Sequence, residues 1–259
     1  PNAYCYAPSV VTAFIASTAT KVSIYVFLRF VFTLFGASFV FGTLHLDVFL
    51  LPLSLLGIFV ASTVAIFQTN IKRMLAYSSI AQIGYMMLGI SFVSVNGLTG
   101  GIVHLFNHAL MKGALFLAMG CIALRIGSVN LEDMRGLGRR MPVTMVVFIF
   151  GGLSLIGVPL TVGFVSKWYL LLAALEKGWW PVAFLLLLSS LLAVIYVWRV
   201  VEVAYFQKPE KETEVREAPI LMQIPMWILT GAIVFFGVQT SLTVGVARQA
   251  AEWLLRGAP

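Results

Sequence analysis

Residues 101–120 form an apolar stretch that is long enough to cross a lipid bilayer, yet it contains ionisable side chains. His104, His108 and Lys112 follow one another at intervals of four residues. In an α-helix this spacing places side chains along one narrow stripe, here about 12 Å long. Ionisable groups inside a bilayer usually face a bundle interior or a water-filled path, often as proton relays. The stretch predicts a membrane helix that moves protons or cations; the alternative is a polar row that only holds helices together.

The composition of the chain excludes a soluble globular domain. Apolar residues make up 60% of the 259 residues, charged residues only 10%, and the mean hydropathy is +0.98. A soluble domain contains about 25% charged residues. The net charge of +7 therefore indicates basic cytoplasmic loops and a few intramembrane cations, with no nucleic acid as a partner. Cys5 and Cys121 show no metal-binding or redox spacing, and we expect no metal, no cofactor and no catalytic centre.

The hydrophobic runs predict an all-α polytopic membrane protein with about seven transmembrane helices. These cover approximately residues 10–35, 48–67, 75–95, 99–124, 143–175, 181–206 and 224–246. The chain divides into a cytoplasmic loop remnant (1–9), six helices (10–206), a charged cytoplasmic loop (207–223), and a last helix with a short tail (224–259). Because the sequence begins with Pro1 inside a predicted loop, we expect it to be the C-terminal part of a longer protein.

The predicted helix at 143–175 is too long for one straight crossing of a hydrocarbon core about 30 Å thick. Gly157, Pro159 and Gly163 interrupt it near its middle. Irregular backbone at membrane depth is tolerated where it lines a cavity or is buried in protein. Lys167 follows the interruption, so we predict a broken helix with an ionisable side chain beside its break.

Five basic side chains from three predicted helices form the candidate site. They are Lys21, His104, His108, Lys112 and Lys167. Desolvated lysines beside other cations can hold or release a proton at neutral pH, and histidine titrates near that range. The pattern predicts a proton relay. Its carboxylate partner is expected outside this chain, because Glu202 alone among the acidic residues falls within a predicted helix. Tyr77, Ser78, Ser79 and Gln82 are expected to hydrogen-bond neighbouring helices.

Basic residues predict the orientation. Nine of the seventeen lie on one side of the predicted helices and three on the other. The nine are Lys72, Arg73, Arg125, Arg135, Arg139, Arg140, Lys208, Lys211 and Arg216. Since cytoplasmic loops are enriched in Lys and Arg, we expect this side, including the loop at 125–141, to face the cytoplasm. The protein is expected in the cell membrane, that is, the cytoplasmic or inner membrane.

Five ordered segments resemble the antiporter-like subunits shared by respiratory complex I and the Mrp cation/proton antiporters. They are PNAYCYAP (1–8), ATKVSIYVFLR (19–29), NIKRMLAYSSIAQIG (70–84), HLFNHALMK (104–112) and GVPLTVGFVSK (157–167). The resemblance implies the C-terminal half of a fourteen-helix fold with two inverted five-helix repeats, each containing a broken helix. It implies that Lys21 is the central-channel lysine, that Lys167 is the terminal lysine, and that His104 and His108 connect them.

The resemblance leaves the branch of the family open. Gln82 stands where many complex I subunits have histidine, which favours a D-like subunit of an Mrp Na⁺/proton antiporter. The alternative is a proton-pumping subunit of NADH-quinone oxidoreductase or a related membrane-bound hydrogenase, and a second alternative is a scaffold subunit that does not transport. The implied partners are other membrane subunits of the same complex, the lipid bilayer, protons and, for the antiporter, Na⁺.

Overall fold

The computed structural model describes residues 1–209 and 215–256. The predicted loop at 207–223 and the predicted tail at 224–259 therefore fall partly outside the described residues, as does Lys211. The α-helices are α1 (Asn2–Tyr6), α2 (Ser9–Leu28), α3 (Leu46–Ile66), α4 (Ile71–Ser91), α5 (Val95–Ile126), α6 (Leu137–Arg140), α7 (Pro142–Ile156), α8 (Val162–Glu176), α9 (Trp180–Phe206), α10 (Ile220–Val238) and α11 (Ser241–Arg256). Two π-helical segments, Arg29–Leu34 and Ser38–Thr43, lie between α2 and α3, and a 3₁₀ turn, Glu132–Met134, precedes α6.

Five helical segments of the described chain are long and apolar enough to cross a membrane. They are α2 with its π-helical continuation (Ser9–Leu34), α3, α5, α9 and α10. The other two predicted crossings are α4, which contains several polar residues, and the interrupted pair α7 and α8. The structure thus confirms an all-α membrane protein with a broken helix.

Helix α5 is the centre of the fold. It contains 32 residues and packs against α2, α4, α7, α8, α10 and α11. Small residues allow this close packing. A side chain at Gly101 or Gly89 would meet the facing backbone of α4 or α5, and one at Gly151 would meet Leu115. Because α5 is surrounded by other helices, its polar stripe lies inside protein rather than in lipid.

The predicted helix at 143–175 consists of α7 and α8, which are separated by residues 157–161. Gly157 ends α7 in the left-handed conformation, with φ of 92°, as glycine commonly does at helix C-termini. Pro159 cannot supply the amide hydrogen that a continuous helix needs, and Leu160 also has a positive φ of 70°. The backbone amide of Gly163 then donates to the Ser154 hydroxyl at 3.2 Å, which connects the two halves.

The predicted limits of the last helix, at about 224–246, are wrong. Helix α10 runs from Ile220 to Val238, and a separate helix, α11, follows from Ser241. The polar residues Gln239 and Thr240 break the apolar run, and Gly237 packs directly on the backbone of Leu160 and Thr161. Helix α11 packs its Ala247, Ala251 and Leu254 on the core, so this part of the predicted short tail is a helix of its own.

Candidate functional site

His104, His108 and Lys112 are fully buried in the middle of α5. Each has a relative exposure of 0%, although an isolated charged side chain is costly to bury. The two imidazole rings are stacked, with centroids 6.1 Å apart and planes inclined by 13°. The predicted stripe is therefore a real row of titratable groups inside the helix bundle.

Both ring nitrogens of His104 have hydrogen-bond partners on other helices. Nε2 lies 2.8 Å from Oε1 of Gln82 on α4, and Nδ1 lies 2.7 Å from the hydroxyl of Ser166 on α8. The serine hydroxyl can donate or accept, so it can follow a change in the protonation of the ring. His104 is thus held in place at the point where α4, α5 and α8 meet.

The ammonium group of Lys112 is bound by α4. Nζ donates to the carbonyl oxygen of Leu75 at 2.7 Å and to the hydroxyl of Ser78 at 2.5 Å. These oxygens replace two of the water molecules that an ammonium group would bind in solution. Lys112 therefore has polar neighbours that stabilise its charged form without a carboxylate.

Lys167 is bound at the break that the sequence predicts. Its Nζ donates to the carbonyl oxygens of Leu155 at 3.1 Å and Ile156 at 2.8 Å, which are the last residues of α7. Carbonyl groups at a helix C-terminus lack intrahelical partners and carry partial negative charge. The Ser190 hydroxyl on α9 is a third acceptor at 3.0 Å, and the ammonium lies 4.8 Å from the centroid of the Tyr85 ring. The break thus supplies a binding site for a cation.

Lys21 joins the site from α2. Its ammonium group donates to the carbonyl oxygen of Ala16, one turn earlier on the same helix. Helix α2 approaches α5 closely at Gly113, where a side chain would meet the Ser17 hydroxyl. Lys21 interacts electrostatically with both histidines and with Lys112. The tertiary structure therefore brings all five predicted residues into one electrostatically connected group, since Lys167 likewise interacts with His104.

Several buried polar atoms of α2 and α5 have no hydrogen-bond partner among the described residues. They include both ring nitrogens of His108, Oδ1 of Asn107, and the hydroxyls of Ser17 and Thr20 on α2. Asn107 uses its amide nitrogen to donate to the carbonyl oxygen of Val162, the first residue of α8, at 2.6 Å. Buried polar groups are nearly always satisfied by protein or by ordered water. The unpaired atoms therefore fit a part of the α2 and α5 packing that takes up water.

Four residues of the site were not among the five predicted. Ser78 and Gln82 were expected to hydrogen-bond neighbouring helices, which they do, but their partners are the site residues Lys112 and His104. Ser166 and Ser190 carried no signal, because single serines are common in membrane helices and their role depends on which helix lies opposite. The polarity of the first turns of α4 was the one available sequence signal.

None of the three lysines of the site is hydrogen-bonded to a carboxylate within the part of the chain that the structure describes. Their acceptors are backbone carbonyl and hydroxyl oxygens. A close carboxylate would strongly favour the charged form of each lysine. Neutral oxygens bind the ammonium group but leave the lysine able to lose its proton. The arrangement can hold a proton on any of several groups.

Comparison with known proteins supports the resemblance found in the sequence. Residues 1–193 match the family described as NADH:quinone oxidoreductase/Mrp antiporter, TM. The chain belongs to this family. It is 38% identical to NADH-quinone oxidoreductase subunit N of Desulforudis audaxviator, over 98% of this chain and 53% of that protein. It is 31% identical to F(420)H(2) dehydrogenase subunit N of Methanosarcina mazei, with the same two coverages of 98% and 53%. The chain thus spans about half the length of the curated relatives it matches.

The fold is shared with a solved structure from the Mrp antiporter branch of the family. The Mrp complex of Dietzia sp. DQ12-45-1b contains a chain that superimposes with a TM-score of 0.89. That match covers 98% of this chain and 55% of the other at 24% identity, so it shows the fold. The relatives that are more similar in sequence are N subunits of oxidoreductases, and they favour the complex I alternative over the Mrp D-like subunit indicated by Gln82. The hydrogen bond of Gln82 to His104 shows why this position is a poor marker: an amide and an imidazole can both bond a histidine ring.

Proposed function

We propose that this chain forms the second proton-translocating half of an N-type antiporter-like subunit in a respiratory NADH-quinone oxidoreductase or a related membrane complex. Protons would pass along Lys21, Lys112, His108 and His104 to Lys167. The observation that carries this proposal is that Lys167 is hydrogen-bonded to the terminal carbonyls of α7. A row of fully buried titratable groups lies nearby. A lysine held at a helix break can bind a proton from the relay and release it when water reaches the break.

The scaffold alternative explains this arrangement less well. Five buried or half-buried basic groups destabilise a helix bundle unless each is solvated by protein. A subunit that only joined neighbouring subunits would be more stable with apolar residues at these positions. An Mrp-type cation/proton antiporter remains the second candidate, because the solved Mrp chain has the same fold.

The location and partners of the chain follow from the same proposal. We infer that it lies in the cytoplasmic membrane and assembles with other membrane subunits. One of these, or another segment of the same subunit, supplies a carboxylate to Lys21, which is hydrogen-bonded to none among the described residues. Protons are the transported ion in the respiratory assignment, and Na⁺ would be exchanged only in the antiporter assignment. The loop at 125–141 faces the cytoplasm in both.

The test uses the full-length subunit in its assembled complex, reconstituted into vesicles. Lys167→Ala is expected to reduce proton transport at least tenfold while the complex still assembles, because the proton-binding group at the break is lost. Lys167→Arg is also expected to fail, because guanidinium stays protonated at any working pH and so cannot release a proton. Lys177→Ala, at the exposed end of α8, is the matched control and should transport normally.

Near-normal transport by Lys167→Arg would contradict the relay and leave the scaffold alternative. The same vesicles distinguish the two branches. Quinone reduction coupled to proton movement supports the respiratory assignment, whereas Na⁺/proton exchange without quinone reduction supports the antiporter.

A further inference from the structure

Helices α4 and α9 contain buried or half-buried hydroxyl groups that lie between Lys112 and Lys167 and that the histidine row does not use. In order from Lys112 they belong to Ser78, Tyr196, Tyr85, Ser189 and Ser190. We propose that these hydroxyls form a second proton path between the two lysines, parallel to His108 and His104. The inference rests on the proposed function, since it adds a route between two of its members.

The first end of this hydroxyl row is bonded directly to Lys112. Its Nζ donates to the Ser78 hydroxyl at 2.5 Å, and that hydroxyl donates in turn to the carbonyl oxygen of Leu75 at 2.9 Å. A serine hydroxyl rotates freely about its C–O bond and both donates and accepts. Ser78 can therefore take a proton from Lys112 while it gives its own proton to a neighbour.

The other end surrounds Lys167. Its ammonium donates to the Ser190 hydroxyl at 3.0 Å and lies 4.8 Å from the centre of the Tyr85 ring. The Tyr85 hydroxyl lies 2.6 Å from that of Ser189, and it also interacts with Ser190. Tyr85 and Ser189 are 1% exposed, so this hydrogen bond is shielded from bulk water. Two adjacent serines of α9 thus connect the tyrosine to the lysine.

Tyr196 occupies the position between these two ends. It is fully buried, and its hydroxyl has no hydrogen-bond partner among the described residues. Two other hydroxyls lie within interaction range of it, those of Tyr85 and Ser78, one from each end of the row. Tyr196 follows Ser189 by seven residues, which is about two turns, so both lie on the same face of α9.

A purely structural role does not explain this tyrosine. A buried hydroxyl without a hydrogen-bond partner destabilises the fold, and phenylalanine would fill the same volume without that loss. The hydroxyl would carry a proton between Ser78 and Tyr85 if it formed hydrogen bonds to each in turn, directly or through one water molecule. The histidine row has a comparable gap, because within the described part of the chain both nitrogens of His108 lack a partner whereas both nitrogens of His104 are bonded.

The transfer balances without any further reactant. The Lys112 ammonium gives one proton to Ser78, each hydroxyl passes on its own proton as it receives one, and the neutral amine of Lys167 takes up the last. Lys112 ends neutral, Lys167 ends as ammonium, and every hydroxyl is regenerated. Reorientation of the hydroxyls then resets the row.

The experiment measures protons transported per quinone reduced by the assembled complex in vesicles. Tyr196→Phe is expected to lower this ratio twofold to tenfold. In a His108→Ala background, which interrupts the histidine row, the same change is expected to remove the remaining transport. Tyr169→Phe is the control, because Tyr169 packs on Val103 and Val165, on the side of α8 opposite to Lys167. Thermal unfolding and subunit composition are measured for every variant.

The outcomes separate this inference from the proposed function. If Lys167→Ala abolishes transport but Tyr196→Phe leaves the ratio unchanged in both backgrounds, the hydroxyl row is wrong and the relay stands. If Lys167→Ala transports normally, the proposed function itself is wrong. A lower melting temperature for Tyr196→Phe with an unchanged ratio would assign the hydroxyl a structural role and overturn the inference.

Discussion

Gly157 serves two purposes at the break between α7 and α8. Its φ of 92° lies in the left-handed region, which is unfavourable for residues with a Cβ atom. A Cβ atom there would also lie 2.9 Å from Cδ of Lys167, which is too close. The glycine therefore both ends α7 and leaves room for the lysine to reach the terminal carbonyls.

Gly157→Ala is expected to lower stability by about 1–3 kcal/mol through backbone strain and to reduce proton transport several-fold by displacing Lys167. Gly127→Ala is a matched control, since Gly127 has φ of 69° but a Cβ atom there would have no neighbour within 4 Å. The control should lose stability and keep its transport. The measurements are thermal unfolding and proton uptake by vesicles; an equal loss of transport in both variants would contradict the role of Gly157.

At the scale of the elements, Glu217 ties the segment before α10 to the N-terminus of α7. Its carboxylate accepts from the backbone amides of Val143 and Thr144 at 2.6 and 3.2 Å, and from the Thr144 hydroxyl at 2.7 Å. Two nitrogens of Arg125, at the end of α5, donate to its backbone carbonyl. The first amides of a helix lack intrahelical acceptors, so this carboxylate caps α7 from a distant part of the chain.

Glu217→Ala is expected to destabilise the protein by about 0.5–2 kcal/mol, because the capping interactions of α7 are lost. Thermal unfolding of the purified complex in detergent measures the effect. Glu252→Ala is the control: it removes only an exposed pair with Arg248, at 3.3 Å on α11, which contributes about 0.3–0.5 kcal/mol. Equal melting temperatures for the two variants would show that α7 does not depend on this cap.

At the scale of the whole molecule, the described chain has two distinct ends. One contains the C-terminus of α5, the N-terminus of α7 and Glu217, connected through Arg125. The other contains the N-terminus of α5 and the C-terminus of α8, where Asn96 donates to Glu176 at 2.5 Å. The basic-residue count predicts that the first end faces the cytoplasm.

Single cysteines in a background without Cys5 and Cys121 test this orientation in intact cells. Glu132→Cys, on the first end, should be protected from a reagent that does not cross the membrane. Lys177→Cys, on the second end, should be labelled; both positions are exposed. Labelling of Glu132→Cys together with protection of Lys177→Cys would reverse the orientation.

Much of the site was predictable because its residues violate the usual composition of membrane helices. An ionisable residue in an apolar run is costly, so Lys21, His104, His108, Lys112 and Lys167 could be selected from the sequence. The break was predictable from Gly157 and Pro159 for an equally local reason, namely the conformations these residues permit. Serine and tyrosine give no such signal, since they occur in membrane helices and at their interfaces in many structural roles.

The sequence by itself determined the fold class, the approximate helices, the break and the buried basic residues of the candidate site, because hydropathy and backbone preferences act within one helix. The tertiary structure decided which groups meet: the α7 carbonyls with Lys167, Ser78 with Lys112, and Gln82 and Ser166 with His104. It also decided the separation of α10 from α11, where Gly237 packs on the break. These contacts depend on the rotation and depth of each helix relative to its neighbours, which are set by packing across the bundle and not by any single segment.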